Sequence, residues 1–111
     1  MLCLRLTKRG YVCRSAPSGE EALSAVRESV PHIVILDVKM PGMDGLEVLR
    51  HLQAEYARVP VILLSGHADM QAAVSAMRNG AFGYLMKPVD FDELLFKIED
   101  ACAQLALEAR A

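Results

Sequence analysis

No apolar run in this sequence approaches the ~20 residues that a membrane span needs, and Met1 to Arg9 carries Arg5, Lys8 and Arg9 where a signal peptide would place its apolar centre. Both absences point to a cytoplasmic protein. Charge of one sign is also missing. A formal net charge of -2, with no basic run and no patch of aromatics interleaved with Lys or Arg, gives no drive toward nucleic acid. Cysteine is sparse and odd in number: Cys3, Cys13 and Cys102 are far apart and set among apolar residues. They read as reduced core cysteines, not a disulfide framework or a metal site. Internal repeats, linkers and low-complexity stretches are absent. The chain is therefore expected to be one domain over residues 1–111, and its 53% hydrophobic content is enough for a core that folds without staples.

What the sequence does contain is organised around residues 33–45. Ile33 to Leu36 is an unbroken apolar run that ends in a carboxylate, Asp37, and is closed by Pro41 and Gly42. Such a run is the mark of a strand covered on both faces of a parallel sheet. Open α/β sheets carry their chemistry at the carboxyl ends of their strands, so Asp37 is a site candidate from its position alone. The pattern recurs where Val61 to Leu64 runs into Ser65, and where Gly83 to Met86 runs into Lys87 and Pro88. A carboxylate, a hydroxyl and an ammonium would meet at one edge.

The remaining segments supply the helices. Leu2 and Leu6 share a face of a short helix that Gly10 can close, and Tyr11 to Arg14 reads as a strand. Ser18 with Glu21, Asp44 with Glu47, and Asp90 with Glu93 have capping spacing and open three further helices. Their inward residues are Ala22, Leu23 and Val26; then Leu46, Leu49 and Leu52; then Phe91, Leu94, Ile98, Ala101 and Leu105. Met70, Ala73, Val74 and Met77 keep helical spacing and predict a core stripe over about 69–79 that stops at Gly80. The order (α)βαβαβαβα implies a doubly wound parallel sheet with helices on both faces.

Asp37 with Met40 to Gly45, Ser65 to Ala68, Gly80 Ala81, and Tyr84 to Pro88 together resemble the receiver domain of two-component response regulators, the nitrogen-control and nodulation type in particular. The resemblance covers nearly the whole chain and implies a flavodoxin-like receiver fold. It also implies a mechanism. Asp37 would take a phosphoryl group from a phosphohistidine on a histidine kinase or phosphotransfer protein. Lys87 would be the cation facing the phosphoryl oxygens, and Ser65 would donate its hydroxyl to one of them. Mg²⁺ would bridge the phosphoryl group and Asp37, with the main-chain carbonyl of Lys39 as a further ligand. Tyr84 would turn with Ser65 as a switch that presents a surface to a downstream effector domain or protein, and Lys87–Pro88 would be cis. The protein would be a phosphoacceptor and switch, at most slowly dephosphorylating itself, and not a turnover enzyme.

Each residue also has a plainer reading. Asp37 could cap the loop that follows it, Ser65 alone equally suits an N-cap, Lys87 alone a surface lysine, and Tyr84 alone core packing. His32, His51 and His67 lack ligand spacing and read as solvated or structural. A phosphatase of the haloacid-dehalogenase type would need a second acid two residues after Asp37, where Lys39 stands.

One departure from the family matters. Its members open with a strand whose end bears an acidic pair that holds Mg²⁺, whereas this sequence begins inside the helix that should follow. The earlier acids, Glu20, Glu21 and Glu28, belong to a helix. The fold is thus expected to be N-terminally truncated, with the first strand absent and the domain incomplete there. Mg²⁺ binding would be weak or absent, and phosphorylation poor. Exposed strand edges would invite a homodimer or a strand-exchanged dimer. The competing function is a receiver-like interaction module with metal-dependent phosphorylation lost or impaired. A natural chain longer than the one starting at Met1 would restore the site.

Overall fold

In a computed structural model, which describes residues 2–39, 42–66 and 70–110, helices and strands alternate from α2 onward. Their order is α1 (Leu2–Lys8), α2 (Gly19–Glu28), β1 (Val34–Asp37), α3 (Gly45–Glu55), β2 (Val61–Ser65), α4 (Met70–Arg78), β3 (Gly83–Met86) and α5 (Phe91–Arg110). Local chemistry sets the helix starts. Ser18 Oγ accepts from the Glu21 N–H at 3.2 Å, and Asp44 Oδ1 from the Glu47 N–H at 3.0 Å. Asp90 Oδ1 accepts from the N–H groups of Asp92 and Glu93. Each carboxylate or hydroxyl satisfies donors that the first turn cannot.

The three strands are parallel in the order β1-β2-β3, with Val34 opposite Val61 and Ile62 opposite Gly83. Every residue of β2 is buried, because the strand is flanked on both sides and covered on both faces. One face carries Leu36, Val61 and Leu63 against Leu23, Val26, Val48, Leu49 and Leu52 from α2 and α3. The other carries Ile62, Leu64 and Leu85 against Leu6 of α1 and Phe91, Leu94 and Ile98 of α5. This is the doubly wound, flavodoxin-like arrangement.

Three expectations need correction. Tyr11 to Arg14 does not form a strand. The segment keeps strand alternation, with Tyr11 and Cys13 half-buried against the α1/α5 cluster and Val12 fully exposed. No neighbouring strand among the described residues offers it a ladder, and extended backbone without a ladder is not a sheet strand. In α4 the inward face is offset from the one expected. Ala73 and Ala76 are fully buried, while Val74 and Met77 are 46% and 42% exposed; the alanines let the helix lie close on the sheet, and the long side chains, one position on, are rotated by ~100° to its flank. Among the cysteines, Cys3 and Cys13 are half-buried but Cys102 is exposed, since it follows the inward Ala101 on α5. The expectations on Met40, Pro41, His67 and Ala68, and on the side chain of Met70, fall outside the described residues.

Candidate functional site

Register delivers the candidate residues to one edge. Asp37 closes β1 opposite Leu64 of β2, Ser65 follows Leu64, and Ser65 lies opposite Met86, so Lys87 comes next. Backbone bonds continue the ladder past the strand ends. Val38 N–H donates to the Leu64 carbonyl at 2.9 Å, and Lys87 N–H donates to the Ser65 carbonyl at 2.8 Å. The three strand tips are thereby locked in step.

The Asp37 carboxylate is held from two sides. Its Oδ1 accepts from the Lys39 N–H at 3.1 Å, and its Oδ2 accepts from the Lys87 ammonium. The side chains of Asp37 and Lys87 are 35% and 44% exposed, so the pair faces solvent and can be approached from it. Ser65 is the opposite case. It is 1% exposed, and its Oγ finds no hydrogen-bond partner. A buried hydroxyl with no partner is unfavourable unless something else completes it. Tyr84 sits opposite Leu63 on β3, half-buried against the cluster formed with α2 and α3. Alternation puts its side chain on the same face as Ser65. The Lys87–Pro88 peptide is cis.

Two further residues shape the neighbourhood, one of them, Gly45, already within the Met40 to Gly45 motif but without a role assigned to it. Glu20, in the first turn of α2, accepts the Met43 N–H on Oε1 at 2.8 Å and so pins the loop that follows β1. Nothing local signals it, because the partners are distant along the chain. Gly45 is the other: its N–H donates to the Val38 carbonyl at 3.0 Å, and a Cβ there would lie 2.6 Å from the Asp37 carbonyl oxygen. Only a glycine lets α3 start so close to β1. The signal was present in the Asp44 cap, which places the next residue against the strand end.

The described strand tips offer a divalent cation a single side-chain carboxylate, that of Asp37. No group of three or more His, Cys, Asp or Glu stands together among the described residues. Mg²⁺ wants near-octahedral oxygen ligation from one or two carboxylates, waters and phosphoryl oxygens, and the one carboxylate at these tips, Asp37, is already paired with the Lys87 ammonium. At the other edge of the sheet, a shallow cavity of about 220 Å³ lies between Gln53, Pro60, Gly80, Phe82 and Leu105. It is remote from Asp37 and shares no residue with the strand tips.

The family model for the response regulator receiver domain matches residues 2–99. This chain belongs to that family. Among receiver-bearing relatives, it is 42% identical over 96 residues to the DNA-binding transcriptional regulator NtrC of Klebsiella pneumoniae, covering 86% of this chain and 20% of that protein. It is 37% identical over 101 residues to the regulatory protein AtoC of Escherichia coli, covering 91% of this chain and 22% of that protein. The chain thus spans about a fifth of the length of these regulators. Among solved structures, the receiver domain of NtrX from Brucella abortus superposes with a TM-score of 0.87 at 33% identity, over 92% of this chain and 87% of that one. NtrX from the same organism in complex with ADP gives 0.92 at 32% identity, over 98% of this chain and 25% of that one. NtrC and NtrX are among these relatives, in keeping with the type that the motifs resemble. Among the described residues, no helix is long and apolar enough to cross a membrane.

Proposed function

We propose that Asp37 is the phosphoacceptor of this receiver domain and that Lys87, Ser65 and Tyr84 serve it. The chain is a receiver domain of the response regulators of two-component signalling. The observation that supports the finer reading is the pairing of Asp37 with the Lys87 ammonium beside a buried, unpartnered Ser65 hydroxyl. Phosphoryl transfer asks a protein chiefly for positioning and charge neutralisation. One carboxylate oxygen of Asp37 attacks phosphorus as the bond to the donor breaks, which forms an acyl phosphate. Lys87, already in place, moves from neutralising the carboxylate to neutralising the phosphoryl oxygens. Ser65 then donates its hydroxyl to one of them and gains the partner it lacks. Tyr84 shares a face with Ser65, so a shift of Ser65 toward the phosphoryl group frees room for the ring on the α4 side of β3.

The partners in this reading are a histidine kinase or phosphotransfer protein as donor, and an effector domain or protein as recipient of the altered surface. The domain acts as a switch and not as a turnover enzyme. Self-association through the edge of β1 that no strand among the described residues covers belongs to the same proposal; sedimentation velocity tests it by the presence or absence of a dimer.

The decisive measurement is intact mass after incubation with a small phosphodonor, with and without Mg²⁺. One added phosphoryl group on a minor fraction of the protein, lost in Asp37→Asn, is expected. No adduct in either protein would instead support the interaction module that has lost phosphorylation.

A further inference from the structure

α1 and the extended segment after it form a hairpin of unlike arms. Gly10, at φ 93°, turns the chain, and the N–H groups of Arg9 and Tyr11 both return to the Leu6 carbonyl, at 3.0 and 3.2 Å. Climbing back up the helix from Gly10 to Cys3 at ~1.5 Å per residue covers about 10 Å. Going forward to Cys13 at ~3.3 Å per extended residue covers about the same. The two cysteines therefore stand level with each other across the hairpin.

They also face the same way. Cys3 lies one helical turn before Leu6, on the same side of α1. Leu6 and Cys13 pack into one cluster with Phe91 and Ile98. Both cysteines are free and half-buried, and their side chains interact with each other. No sheet ladder among the described residues holds residues 11–14, which leaves this arm free to settle within the ~7 Å between Cα atoms that a bridge tolerates.

We propose that Cys3 and Cys13 form a reversible intrachain disulfide by exchange with a small dialkyl disulfide of the glutathione type. Burial keeps the Cys13 thiol protonated, pushed up to about 11, so exchange starts at Cys3. Cys3 loses its proton and the thiolate attacks one sulfur of glutathione disulfide; a Cys3–glutathione bond forms, the glutathione S–S bond breaks, and the glutathione thiolate that leaves takes up the proton. Cys13 then attacks the Cys3 sulfur, and the second glutathione leaves with the proton of Cys13. Two protein thiols are oxidised and one glutathione disulfide is reduced to two thiols. The bridge fastens residues 11–14 to α1, so it supplies covalently the hold that a ladder would give. Cys102, free and exposed on α5, serves as the internal reference.

The test uses the full chain, incubated with glutathione disulfide and read by intact mass and non-reducing peptide mapping. The expected result is loss of two hydrogens through a Cys3–Cys13 crosslink, one glutathione on Cys102, and a urea midpoint that rises on oxidation and falls back on reduction. Cys102→Ser should keep the crosslink. Cys13→Ser should trap glutathione on Cys3. Lasting glutathione adducts on both Cys3 and Cys13 in the wild type, or thiols at both positions while Cys102 is fully modified, would overturn the proposal. So would a crosslink that involves Cys102.

Discussion

Lys87 is fixed to Ser65 through its backbone and to Asp37 through its side chain: its N–H donates to the Ser65 carbonyl at 2.8 Å while its ammonium meets Asp37 Oδ2. One residue thus ties the tips of three strands together, and its two functions can be separated by substitution. Lys87→Ala keeps the backbone bond and removes the ammonium. Because the ion pair is well exposed, the folding free energy should change by no more than about 1 kcal/mol, whereas the response to phosphodonor should be strongly impaired. Circular dichroism in urea reads the first quantity and a partner-binding or conformational assay the second. A variant that responds like the wild type would remove Lys87 from the site.

Ser65→Ala separates the buried hydroxyl from the fold. Its Oγ makes no hydrogen bond, so removing it relieves a desolvated donor at little cost in packing. Stability should be unchanged or raised by about 1 kcal/mol, with phosphorylation still occurring at Asp37 but the conformational response reduced. A loss of more than about 2 kcal/mol would mean that the hydroxyl has a partner in the folded protein.

Gly45→Ala tests the closeness of α3 to β1. The new methyl would lie 2.6 Å from the Asp37 carbonyl oxygen and 2.9 Å from Val38 Cα, both backbone atoms that cannot rotate away. Overpacking of this kind costs about 1–3 kcal/mol. Because the atoms displaced belong to the phosphoacceptor's own main chain, the rate of phosphoryl uptake should fall along with the urea midpoint. A variant with wild-type stability and rate would show that the loop yields freely.

Alkaline pH should loosen the α1 side of the molecule. Burial, then the neighbouring Cys3 side chain, raises the Cys13 thiol from its ordinary 9.0 to about 11. Burial, then the Glu99 carboxylate, raises the Tyr11 phenol above 10.0. Both groups hold their protons more tightly folded than unfolded. The stability that Cys13 contributes is complete below pH 9 and is lost as pH climbs through about 11, and Tyr11 acts in the same direction. Urea midpoints measured across that window under reducing conditions should decline, and Cys13→Ala should decline less. Parallel declines in the two proteins would exclude Cys13 as a source.

Leu52→Ala reports on the core face under α3. Leu52 is completely buried among Leu49, Val61 and Leu63, so truncation should cost about 2–5 kcal/mol with little effect on the chemistry at Asp37. The size of the loss, read from urea unfolding, measures how far the neighbours collapse into the space.

Much of this molecule is written locally. Apolar runs broken by proline give β1, β2 and β3, and Ser18, Asp44 and Asp90 give three helix starts, because a cap or a turn needs only a few neighbouring residues to be stable. For the same reason Asp37, Ser65 and Lys87 could be picked out as polar groups at the ends of apolar runs. The α4 stripe was misread because 3.6-residue spacing identifies a helix without fixing its rotation: Ala73 and Ala76, and not Val74 and Met77, turned out to be the pair that fits against the sheet. Tyr11 to Arg14 was misread because β-propensity describes a segment, whereas a strand is a relation between two of them. Glu20 on the Met43 N–H was out of reach altogether.

The sequence by itself determined the alternation of helices and strands, and hence a parallel sheet, since that follows from the periodicity of burial along one stretch of chain. The tertiary structure alone decided that the Asp37 carboxylate and the Lys87 ammonium touch, that the Ser65 hydroxyl is left without a partner, and that Cys3 comes level with Cys13. Those facts depend on register and on chain reversal, which are set when separate segments dock. Register and reversal are fixed by packing across the fold, and no local pattern encodes them.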